Sequence, residues 1–126
     1  MPYLRQWSEK RIEHAKIYDA AFKGVKGITC PVVKNYSTFH IYNQYTLQAK
    51  DRDKLMAHLK AASIGCAVYY PLPLHLQECF SALNCPLGTF PAAEYAANAV
   101  LSLPVYPELT DEMKDYVVAK VCEFYA

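Results

Sequence analysis

The stretch Tyr69–Gln77, YYPLPLHLQ, constrains this chain more than any other. Pro71 and Pro73 each remove a backbone donor and fix φ, and each pushes the residue before it into an extended conformation. No helix interior or central strand runs through such a segment. Tyr70 and Leu72 are therefore expected to be extended, and Tyr69–His75 to be a stiff connector between separate, short elements. A rigid, aromatic-rich loop is either a packed corner, with rings buried and hydroxyls paired, or the wall of a site.

At 126 residues the chain has the size of one domain and can bury about two-thirds of its unfolded surface, so it needs neither disulfide nor metal to fold. Hydrophobic residues at 53% against 20% charged describe a globular protein. No apolar run approaches the ~20 residues of a membrane span. The opening MPYLRQWSEKRIEH lacks the apolar core of a signal peptide, which makes the cytoplasm the expected compartment and a membrane partner unexpected. Cys30, Cys66, Cys79, Cys85 and Cys122 are odd in number and form no CxxC pair, so they are expected to be reduced and mostly buried.

The net charge of +1 hides an asymmetry: residues 1–60 carry 11 Lys/Arg against 5 Asp/Glu, whereas residues 61–126 carry 2 against 7. The basic half could meet a phosphate-bearing ligand or an acidic surface. Its lysines fall mainly on helix faces, however, where solvated charge is ordinary. With three arginines and no arginine-rich run, nucleic acid is not an expected partner.

Residues 3–23 read as an amphipathic helix with Leu4, Trp7, Ala15, Tyr18 and Phe22 on one face. His14 shares the direction of Tyr18 and reads as a packed or surface histidine. Residues 39–49 alternate as a strand, with Phe39, Ile41, Asn43, Tyr45 and Leu47 inward and His40, Tyr42, Gln44, Thr46 and Gln48 on the other face. Asp51 or Asp53 is expected to cap a helix over about 52–63 that Gly65 ends. Residues 66–70 read as a short strand and 76–83 as a helix. Pro91 opens an alanine-rich helix from Ala92 to Leu101, an extended run follows, and Thr110 caps a last helix whose Val117, Val121 and Phe124 face the core. The order predicts an α+β fold over residues 1–126: a small antiparallel sheet with helices packed on one side.

Few residues carry chemistry. The four glycines (24, 27, 65 and 88) form no phosphate loop, and there is no GxSxG or HExxH pattern. Every lysine sits in a polar or helix-surface setting, so none reads as the desolvated amine a Schiff base needs. No catalytic residue, cofactor contact or metal ligand is assigned. Tyr69, Tyr70 and His75 remain, held by the prolines where their polar atoms could bond a polyhydroxylated or phosphorylated ligand.

Several segments together resemble the C-terminal part of the DegT/DnrJ/StrS sugar aminotransferases: MPYLRQWSEKR, FHIYNQYTL, DRDKLMAHLKAASIGCAVYYPLPLHLQECF, FPAAEYAANAVLSLPVYPELTDE and YVVAKVCEFY. They cover almost the whole chain in family order, and YYPLPLHLQ and LSLPVYPELTDE are specific signatures. The resemblance implies the small C-terminal domain of a fold-type I, pyridoxal-phosphate-dependent enzyme acting on nucleotide sugars. It places Tyr69–His75 in the substrate-site wall, making Tyr69, Tyr70 and His75 substrate-binding candidates, with His40 of the family's His-x-Tyr segment a weaker one. It also implies that the Schiff-base lysine and most cofactor contacts belong to an N-terminal large domain absent from this chain, which would not transaminate alone. Thr89 in GTFP departs from the family's usual acidic residue after the glycine, which weakens the carry-over of that loop's contacts.

Two functional expectations follow. One is a detached half-enzyme that works with a separately encoded large aminotransferase domain. The other is a stand-alone module that keeps the fold without the reaction and binds a nucleotide sugar or self-associates. Polar residues at inward positions, Asn43 and Asn98, would favour the second. An enzyme with an unrelated active site of its own has no supporting constellation.

Overall fold

The computed structural model describes residues 2–126. Its elements are α1 (Leu4–Phe22), β1 (Ile28–Thr29), β2 (Tyr45–Ala49), α2 (Arg52–Ala61), α3 (Pro91–Ala99), β3 (Val100–Leu103) and α4 (Asp111–Tyr125). The strands form one antiparallel sheet in the order β1-β2-β3.

The register follows from side-chain alternation. Tyr45, Leu47 and Ala49 of β2 are buried, and Tyr45 and Leu47 stand opposite Leu103 and Leu101 on the same face. On the other face Thr46 meets Ser102, their hydroxyls 2.7 Å apart. The core gathers these strand residues with Ala15, Tyr18 and Phe22 of α1, Leu55 and Leu59 of α2, and Val117 and Val121 of α4. Two of its buried tyrosines pair their hydroxyls: Tyr18 donates to the Pro104 carbonyl at 2.9 Å and Tyr45 to Asp19 Oδ1 at 2.7 Å. Burial, with Asp19 and Cys30 alongside, holds the Tyr45 phenol protonated far above its ordinary range.

The α+β architecture is as the residue order predicts, and several local expectations are corrected. The strand expected from residue 39 begins at Tyr45. Tyr42 takes the left-handed conformation, φ 46°, which breaks the alternation; its ring is buried while Phe39 and Ile41 are exposed. Leu4 and Trp7 are exposed, so only the later turns of α1 reach the core. The helix expected over 76–83 is a pair of 3₁₀ turns, Leu74–Leu76 and Glu78–Leu83. The alanine-rich helix stops at Ala99, because Val100 turns extended and starts β3.

Asp51 precedes α2 in the left-handed region without a side-chain cap, and its carboxylate takes Lys54 Nζ at 3.0 Å instead. Ser63, with φ 59°, makes the left-handed exit expected of Gly65. Thr110 caps α4 as expected, accepting from the Met113 amide at 3.2 Å. None of the five cysteines is fully buried, and Asn43 and Asn98 are exposed rather than inward. One lysine contradicts the surface reading: Lys114 is 4% exposed, with Nζ 2.6 Å from Asp111 Oδ1 and 3.1 Å from His14 Nδ1.

Candidate functional site

The proline corner hangs from β3. Ser102 and Ala67 exchange backbone hydrogen bonds of 2.8 and 3.2 Å, so β3 is flanked on both edges and fixes the chain two residues before Tyr69. Behind β3, the buried Arg52 guanidinium donates to the carbonyls of Ala97 at 3.1 Å and Val100 at 2.9 Å, satisfying the end of α3 and locking it to β3. Two independent anchors thus hold the segment's surroundings.

From that base, Tyr69, Tyr70, Leu72 and Leu74 project outward, 46–74% exposed, and the two tyrosine rings meet edge to face with centroids 6.0 Å apart. Beneath them runs an apolar groove of about 310 Å³, floored by Ala93, Ala96 and Val100. The small alanines keep α3 low enough to open it.

His75 belongs to a different piece of the same wall. Its Nε2 is 3.0 Å from Glu94 Oε1, and its ring meets Phe90 edge to face at 4.9 Å. Both partners of the pair are well covered, with side chains 7% and 15% exposed. Glu94 also accepts from the Gly88 amide at 2.8 and 3.0 Å and from the Phe90 amide at 3.3 Å. Partial desolvation opposes ionisation of Glu94, but the amides and His75 outweigh it and hold its carboxyl below the usual range. Thr89 turns inward on its own loop, its hydroxyl donating to the Pro86 carbonyl at 2.6 Å.

The structure therefore brings Tyr69 and Tyr70 together over the apolar groove. His75 lines a second cleft of about 490 Å³, where Gln77, Glu78, Ser81 and Asn84 mix with Leu76, Cys85 and Pro86. His40 lines neither; its Nδ1 accepts from the Tyr42 amide at 3.2 Å, which ties the imidazole to its own turn. Sequence reasoning missed Glu94. Its signal was its place four residues after Phe90, in the first turn of a helix opened by Pro91, where a carboxylate can reach back to loop amides.

The buried amine is no cofactor anchor. Lys114 lies between α1 and α4, already engaged by Asp111 and His14 and away from both clefts, so it does not fit the role of a Schiff-base lysine. Among the described residues no cluster of His, Cys, Asp or Glu has a metal-binding arrangement, and no helix is long and apolar enough to cross a membrane.

An antiparallel sheet flanked by helices, with a proline corner carried on β3, is a fold shared with one family of enzymes. The model of the DegT/DnrJ/EryC1/StrS aminotransferase family matches residues 1–122, and the chain belongs to that family. It is 44% identical over 125 residues to the pleiotropic regulatory protein of Geobacillus stearothermophilus, covering 98% of this chain and 34% of that protein. Against the dTDP-3-amino-3,4,6-trideoxy-alpha-D-glucose transaminase of Streptomyces venezuelae it is 34% identical over 109 residues, covering 86% and 28%. The crystal structure of S. venezuelae DesV with a ketimine intermediate superposes with a TM-score of 0.93 at 31% identity, covering 98% of this chain and 33% of that one. The chain thus spans about a third of the length of these relatives.

Proposed function

We propose that this chain acts as the small domain of a pyridoxal-phosphate-dependent nucleotide-sugar aminotransferase, completing the substrate wall and the packing surface of a large domain that supplies the reactive lysine. The strip Tyr69, Tyr70, Leu72 and Leu74 carries the reading: large apolar side chains, heavily exposed, on backbone stiffened by two prolines. A contiguous apolar patch of this kind marks an interaction surface. The tyrosine hydroxyls along it suit a sugar's hydroxyl groups. The chain's own part is to bind, orient and exclude water; the single buried lysine among the described residues is committed to the core.

The test is reconstitution. The chain is mixed with the separately expressed large domain of a family member, and glutamate-dependent amination of a keto-sugar nucleotide is followed. Activity is expected in the mixture and not in this chain with added pyridoxal phosphate. The double change Tyr70→Ala, Leu74→Glu should weaken docking by tenfold or more, about 1.4 kcal/mol. Amination by the chain alone would overturn the reading, as would unchanged docking of the double variant.

A second reading, self-association of a module that keeps the fold without the reaction, draws on a separate feature. Val32, Val33, Tyr36, Phe39 and Ile41 form an apolar arm, 42–83% exposed, between β1 and β2. Sedimentation equilibrium of the chain decides it, a monomer at micromolar concentration ruling it out.

A further inference from the structure

We infer that Glu94 is a positioning residue that holds His75 as a one-way hydrogen-bond acceptor, with Nε2 protonated toward Glu94 and the lone pair of Nδ1 presented to the cleft that His75 lines. The ligand group this histidine recognises is then a donor, a hydroxyl or an amide N–H of a neutral polyol or amino sugar, and not a phosphate oxygen. The choice of a sugar as ligand rests on the proposed function above. The tautomer does not.

Three observations carry it. First, the Glu94 carboxylate accepts from two loop amides and therefore faces His75 as an acceptor, so at 3.0 Å the shared proton sits on Nε2. A neutral imidazole with Nε2–H has its lone pair on Nδ1. Second, Nδ1 has no hydrogen-bond partner among the described residues, yet it is not among the buried unpaired atoms, so it keeps contact with solvent. Third, the cleft that His75 lines mixes Leu76, Cys85 and Pro86 with Gln77, Glu78, Ser81 and Asn84 and has no lysine or arginine in its wall, so its one charged group, Glu78, repels phosphate while its neutral polar groups suit hydroxyls. Phe90 packs edge-on against the ring.

The free chain provides the test through long-range ¹H–¹⁵N correlation of its histidine rings at neutral pH. His75 is expected to show the Nε2–H pattern. Glu94→Gln should invert it: the Gly88 and Phe90 amides claim the single carbonyl oxygen, the side-chain NH₂ turns to Nε2, and Nδ1 takes the proton. Glu94→Ala should leave a mixture of both tautomers. A purely structural Glu94 would alter stability without this graded change. Titration with inorganic phosphate should leave the His75 ring signals in place.

An Nδ1–H pattern in the unmodified chain would overturn the inference even if neither variant folded. Retention of the unmodified pattern in both variants, or saturable phosphate binding at His75, would overturn it as well. None of these outcomes depends on whether a large domain docks, so a failed reconstitution and a failed tautomer remain separate results.

Discussion

Lys114 and His14 meet across 100 positions of sequence, and the contact decides how the protein meets acid. Burial and the neighbouring Lys114 hold the His14 imidazole below its ordinary 6.5, with Lys10 adding to the effect and Glu13 and the Pro107 carbonyl opposing it. As pH falls past that value the unfolded chain takes up a proton that the folded chain refuses. Stability is therefore complete above about pH 6.5 and declines below it. Melting temperature should drop between pH 7 and 5, and His14→Asn, which keeps an acceptor for Lys114, should flatten that part of the curve. Identical slopes would exclude His14 as the cause. Asp111, held low chiefly by the hydrogen bond from Lys114, adds its loss only at more acidic pH. Lys114→Met should cost about 1–3 kcal/mol, because it strands a buried imidazole nitrogen, and urea denaturation measures it. None of this was legible beforehand: a lysine three residues after a helix-opening aspartate reads as surface charge. Only the packing of α1 against α4 buries it.

Among the elements, those with strong local signals were legible and those that depend on partners were not. α1, α2 and α4 announce themselves by their apolar period, and α4 also by Thr110 at its start. β3 does so only in part, since its first two residues, Val100 and Leu101, continue an alanine-rich helical pattern and become strand because β2 and Ala67 claim the two edges. Leu101→Ala should therefore cost about 2–5 kcal/mol, a core value, although the sequence pattern places Leu101 at a helix end. Calorimetry checks it. The turn into β1 is as demanding. Gly27 has φ 99°, and a Cβ there would lie 2.8 Å from Cε1 of Tyr125, so Gly27→Ala should destabilise by about 1–3 kcal/mol. A neutral Gly27→Ala variant would mean that Tyr125 moves aside freely.

At the scale of the whole molecule, the sequence disclosed the family and the stiff Tyr69–His75 segment while leaving the hydrogen bonds that tie it to α3 hidden. Tyr69 and Tyr70 were legible because two prolines flag the segment. Glu94 was not, because its role rests on a loop folding back over the start of α3. The apolar strip and the apolar arm are separate stretches of one small surface, and together they leave many large side chains exposed. A chain with such a surface should bind a hydrophobic reporter dye while remaining fully folded. The dye signal should fall but not vanish when a family large domain is added, because the strip is covered while the arm stays open. A signal unchanged by the added domain would place the docking face elsewhere.

The pairing of Thr46 with Ser102 has a kinetic consequence. Those partners lie 56 positions apart, and every hydrogen bond between β2 and β3 closes a loop of similar length. Such closures sacrifice chain entropy before burial repays it, so the sheet cannot nucleate locally. A refolding chain would first form α1, α2 and α4 in transient, unanchored turns, and would then wait for one improbable encounter that aligns β3 with β2. Stopped-flow refolding should run in milliseconds to seconds rather than microseconds, and Ser102→Gly should slow it, since that encounter is the rate-limiting event.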